Sequence, residues 1–153
     1  MRLHPQRSRA LKVLSGIALI AGLGTAAPAQ PGATQFSAAL TGANEVPPGD
    51  PDGAGTARVR ILGTLNQVCV RLEVRGIDRA TAAHIHRGAA GVNGPPVVNL
   101  DPPDNDGDED DCDHVGDALA DEIQANPGEF YINVHTAAFP NGAIRGQLAP
   151  SAD

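Results

Sequence analysis

Two stretches of the chain alternate apolar and polar residues with the two-residue period of a half-buried strand. Across Val68–Val74, the residues Val68, Val70, Leu72 and Val74 share one face, and Cys69, Arg71 and Glu73 take the other. Across Phe130–Thr136, Phe130, Ile132 and Val134 oppose Tyr131, Asn133 and His135. Further apolar runs bounded by turn residues predict strands over Gln35–Leu40, Thr56–Leu62, Ala80–His86, Val97–Leu100 and Ala143–Leu148. With 18 Gly and 13 Pro punctuating the chain, short strands and turns imply an all-β sandwich or barrel. One helix interrupts it, over Asp117–Ala125. Asp117 is placed to cap that helix, Leu119 and Ile123 share a face, and Asn126-Pro127 ends it.

The beginning of the chain follows a different pattern. Arg2, Arg7, Arg9 and Lys12 precede the apolar run Val13–Leu23, and Ala27-Pro28-Ala29 follows. A basic head, a short apolar middle and an A-x-A end predict a secretory signal peptide over residues 1–29, cleaved near Ala29-Gln30. The run falls short of the ~20 apolar residues of a membrane span, so the mature chain is expected to carry none. Residues 30–153 then form one domain, periplasmic or extracellular.

Composition narrows the partners. The net charge is −7 for the whole chain, and losing four basic residues with the leader brings it to about −11 with no lysine left. Such an acidic surface excludes nucleic acid and anionic membranes as partners. Without Trp and with one Met, the core is built from Val, Ile, Leu and Ala.

Candidate chemistry gathers on three histidines. His84 and His86 point the same way along a strand with Ile85 opposite, and His135 stands in the same relation to Val134. Three imidazoles on one face suit Cu or Zn. They equally suit a hydrogen-bonded polar cluster with Asn133 and Tyr131. Register matters here. A two-residue hairpin turn at Asn141-Gly142 would turn His135 to the side of Leu148, so a shared face needs a longer connection or a bulge.

Between Leu100 and Gly116, eight carboxylates crowd one segment, which either stays extended and solvated or holds a cation. Asp104, Asp106, Asp108 and Asp110 are the candidate ligands for Ca²⁺, although Asp111 stands where an EF-hand requires glycine. In an exported chain, Cys69 and Cys112 read first as one disulfide that pins this segment to the sheet, and otherwise as free buried thiols. Neither a G-x-S-x-G elbow nor a Ser/His/Asp order is present, and no catalytic residue is assigned. Asn44–Pro48 reads as a loop that stops the first strand or as one that touches a ligand. Gly88, Gly91 and Gly94 supply turns after the histidine strand.

Four motifs occur in one order: Phe36–Pro48, then Thr81–His86 with Gly88 and Gly91–Pro95, then Tyr131–Thr136, then Asn141–Leu148. Together they resemble the chordin-type (CHRD) domain over nearly the whole mature chain. The resemblance implies an immunoglobulin-like β-barrel with limited similarity to copper,zinc superoxide dismutases, and it brings no established general biochemical activity. By that likeness, His84, His86 and His135 are similar to copper ligands, and Arg145 to a guanidinium that guides an anionic substrate. A metal-bridging histidine and a His-rich zinc loop are missing, and His114 is the one spare imidazole nearby. The expected function is a non-catalytic extracytoplasmic module that binds a protein, a polysaccharide or a cation. The alternative is a copper- or zinc-binding redox protein of superoxide-dismutase type.

Overall fold

The computed structural model describes residues 33–151, so the expected signal peptide lies outside the described residues. Nine strands form a mostly antiparallel sheet: β1 (Ala33–Thr41), β2 (Ala54–Leu62), β3 (Gln67–Arg75), β4 (Ala80–Arg87), β5 (Pro96–Leu100), β6 (Asp108–His114), β7 (Phe130–Thr136), β8 (Ile144–Gln147) and β9 (Ala149–Pro150). Their spatial order is β5-β4-β7-β8-β1-β2-β3-β6, with β9 paired to β1. The sheet curls until it is nearly closed, and it matches the all-β barrel or sandwich expected from the alternation. One helix, α1 (Asp117–Ala125), joins β6 to β7. Ile123 and Ala120 on its inner face are buried, while Leu119 is only partly so.

The core lies inside the curl. Phe36, Leu40, Val59, Ile61, Val68 and Leu72 from one half meet Ile85, Ile132, Val134 and Ile144 from the other. The registers produce this. In β1–β2–β3, Phe36 pairs Val59 and Val59 pairs Val70, so residues of one face stack across three strands. Each fully buried Ile or Val contributes on the order of 1.5–3 kcal/mol by removal from water.

Three details differ from the sequence expectation. The acidic segment is neither a free loop nor a carboxylate cage, because its second half is strand β6. That strand pairs with β3 from Gln67↔His114 to Glu73↔Asp108, with Cys69 directly opposite Cys112 and disulfide-bonded to it. Asp117 does not cap α1. Gly116 is the N-cap and no side chain bonds there; Asp117 sits in the first turn, where its charge complements the helix dipole. Finally, β7 is buried on both faces, although its sequence alternates like a half-exposed strand. Its outward residues Tyr131 and Asn133 are 3% and 2% exposed because loops from residues 42–53 and 88–95 lie over them.

Candidate metal centre

β4 and β7 are neighbours, and their pairing brings the histidines together. His84 opposes Asn133, His86 opposes Tyr131 and Ala82 opposes His135, so all of these share the outer face. The connection from β7 to β8 is long enough to keep His135 there: Val134 pairs Ile144, and residues 137–143 form the turn. Ring centroids lie 5.4 Å apart for His84–His86, 4.9 Å for His84–His135 and 6.5 Å for His86–His135. One nitrogen from each ring lies within 4.8 Å of the others. Among the described residues this is the one convergence of three or more His, Cys, Asp or Glu groups.

The backbone sets which nitrogen faces the centre. His86 Nδ1 is 2.8 Å from the Gly94 carbonyl oxygen, and a carbonyl only accepts, so Nδ1 carries the proton. Its Nε2 therefore holds a bare lone pair, buried and without a partner. His135 Nδ1 lies 3.0 Å from the Pro140 carbonyl oxygen. His135 Nε2 lies 3.0 Å from His84 Nδ1 and 3.1 Å from Asn133 Oδ1. The Gly94 carbonyl thus fixes the His86 tautomer that aims a bare Nε2 inward, as in metal-binding histidines, whereas the two acceptors on His135, the Pro140 carbonyl and Asn133 Oδ1, compete for its one proton. Gly94 has to be glycine for this, since a Cβ there would overlap the Arg87 carbonyl.

Electrostatics favour the neutral form of two of the rings. Burial lowers the pKa of His84, and the positive forms of His135 and His86 lower it further. Burial also lowers that of His135, against the Pro140 hydrogen bond that raises it. Protons therefore bind the unfolded chain more tightly than the folded one. The stability these rings contribute is complete above their ordinary value near 6.5 and is lost as pH falls from there through the lowered folded values. Chemical denaturation of the metal-free protein is expected to show a falling unfolding free energy between pH 7 and 5. In a His84→Gln/His135→Gln variant that slope flattens.

A second polar layer supports the first. Asn133 touches His135 through Oδ1, and its amide also favours the charged form of Glu45. Glu45 is buried, which raises its pKa, while Arg145 at 3.7 Å opposes that rise. Gly142, at φ 135°, gives the Glu45 carboxylate its room, because a Cβ there would overlap it. Arg145 is 3% exposed, with Nε and Nη1 engaged and Nη2 buried without a partner. It donates from Nε to the Asn44 carbonyl at 2.6 Å and from Nη1 to Asn93 Oδ1 at 3.1 Å, and it lies 4.6 Å over the Tyr131 ring. On the ring's own part, His86 stacks against Tyr131 at 4.8 Å and 11°.

The structure thus brings His84, His86 and His135 together and places Arg145 in the supporting layer, tied to loops. Asp104 lies in a turn where its carboxylate accepts from the Asp106 N–H at 2.8 Å, and Asp108 and Asp110 are exposed on β6. His114 is at the far end of that strand beside Gln67. Sequence reasoning missed Glu45 as the buried carboxylate of the site and Gly94 as the clamp on His86. Neither leaves a signal in spacing, since one acts from a loop and the other through its backbone.

Among the described residues no helix is long and apolar enough to cross a membrane. A family model, the CHRD domain, matches residues 36–148. No curated protein matches the chain.

Proposed function

We propose that this chain, which belongs to the CHRD domain family, works outside the cytoplasm as a non-catalytic module whose ligand is one Cu or Zn ion held by His84, His86 and His135. The observation that carries this reading is the bare, buried Nε2 of His86, turned toward two other imidazoles by a backbone clamp. A buried polar atom without a partner is costly, and a cation there relieves the cost. The donor set selects the metal. Three neutral imidazoles with no thiolate and no directly converging carboxylate suit Cu and Zn, whereas Ca²⁺ takes six to eight oxygens. Export agrees with the Cys69–Cys112 disulfide, a bond that persists in oxidising compartments.

The redox alternative has less behind it. A guiding guanidinium must meet its anion in solvent, and Arg145 is shut in by Glu45, Tyr131 and Asn93.

Titration of the oxidised protein with Zn²⁺ or Cu²⁺ tests the reading. Tyr131 is the chain's single tyrosine and stacks on His86, so its fluorescence reports the site directly. Saturation at one ion per chain is expected, with affinity reduced on the order of 100-fold or more in the His84→Ala/His86→Ala variant. Weak binding that is the same in both proteins would remove the metal from the account.

A further inference from the structure

The loops that wall the histidine cluster are almost free of charge, on a chain whose net charge is −7. Residues 88–96 and 137–143 contain no ionisable side chain, and of the three in residues 42–53, Glu45, Asp50 and Asp52, only Glu45 lines the pocket beside the cluster. The Glu45 charge is answered by the buried guanidinium of Arg145. Two of the three large hydrophobic residues exposed among the described residues, Val46 at 41% and Val92 at 53%, sit on these same loops. Between the loops and the sheet lies a pocket of about 280 Å³. Its floor includes buried Glu45, His86 and Tyr131, and its lip includes exposed Val46, Pro47 and Asn141.

This lining selects its ligand by what it offers and by what it lacks. Glu45 lines the floor, and its carboxylate accepts hydrogen bonds. The Tyr131 hydroxyl accepts from the Gly94 N–H at 3.3 Å, which leaves its own proton to donate. Asn141 brings an amide that both donates and accepts. A ligand that meets all three must donate and accept at neighbouring positions without net charge, and adjacent hydroxyl groups do this. The apolar lip of Val46 and Pro47 fits the C–H face that such a ligand also carries. The nearest cation, Arg145, is buried, does not line the pocket and has its charge answered by Glu45, so an anion would be repelled by the acidic surface as it approached.

We infer that this pocket binds a neutral sugar through vicinal hydroxyls, as a free pyranose or as the end of a neutral polysaccharide. The volume lies at the small end of ligand pockets, which limits occupancy to about one ring. Metal at the histidines is not required, so the inference stands apart from the function proposed above.

The test titrates the oxidised, metal-free protein with glucose, galactose, mannose and N-acetylglucosamine, with neutral oligosaccharides of the same units, and with glucuronate. Tyr131 fluorescence and backbone amide shifts report binding. Saturable millimolar binding of at least one neutral sugar is expected, with glucuronate inactive. Tighter binding of the oligosaccharide than of its monomer identifies a polysaccharide end as the ligand, and equal binding identifies the free sugar. Asn141→Ala should weaken the interaction about fivefold, the loss of one hydrogen bond, and Val46→Asp should weaken it at the lip. The Zn²⁺ titration of Asn141→Ala should match that of the parent, which separates failure here from failure of the metal reading. Absence of saturation for every neutral sugar up to about 100 mM overturns the inference. So does sugar binding that both variants leave unchanged.

Discussion

Arg145→Met is expected to destabilise the fold by about 3–5 kcal/mol, the cost of breaking a buried ion pair from one side. Glu45 is 5% exposed and Arg145 3%, so the carboxylate left behind finds neither water nor a cation. The loss reaches further than the pair. Arg145 also fastens the Asn44 and Val92 carbonyls and the Asn93 side chain, which hold two loops over β7. Adding Glu45→Gln in the same background should recover part of the stability, because removing both charges of a buried pair is often close to neutral. Urea unfolding of the parent and the two variants measures this through the shift in midpoint at unchanged slope. An Arg145→Met protein as stable as the parent would mean that the guanidinium is held for another purpose, and the anion-guiding role suggested by the family resemblance would return.

The second large effect concerns the acidic edge. Replacing both cysteines by alanine opens a closure between residues 43 apart, worth about 4 kcal/mol on the chain-entropy account. The measured loss is expected at about 2–4 kcal/mol, since engineered and natural bridges commonly fall below the formula. What distinguishes this protein is where the loss should appear. β6 is an edge strand that presents Asp108, Glu109, Asp110, Asp111 and Asp113 in one run, and only β3 pairs with it. Without the bridge, mutual repulsion is opposed by little beyond the ladder and the Arg71 position opposite Asp110. Amide exchange of β6 should therefore quicken well before that of β2 and β3. Raising ionic strength should restore more stability to the variant than to the parent, since salt screens exposed like charges. Equal loss of protection in β2 and β6 would show that the bridge supports the whole barrel and not its edge.

Much of the barrel was legible because its central strands are half-buried in the simplest way. β3 alternates Val68, Val70 and Leu72 against Cys69, Arg71 and Glu73, and the structure buries the first set as that alternation requires. α1 was legible from Leu119 and Ile123 and from the Asn126-Pro127 stop, with its bounds as expected. β6 was hidden, since aspartate-rich segments have low strand propensity. Pairing with β3 and the cystine made it a strand, and both are relations between distant parts of the chain. The capping residue of α1 was misplaced by one position for a smaller reason: the Asp117 backbone is already helical, so Gly116 takes the flanking place.

The candidate site divides along the same line. Local alternation alone determined that His84 and His86 share a face, because a strand repeats every two residues whatever surrounds it. Whether His135 joined them depended on which strand lay beside β4, on the offset of that pairing and on the length of the turn after β7. Only the tertiary structure decided those three. The same holds for Gly94, which clamps His86 from a loop, and for Glu45 and Arg145, which back Asn133 and Tyr131 from a second loop and a third strand. A sequence records the period of each element. It does not record which loops settle over an outward face, because that depends on how separate hairpins pack once the core has formed.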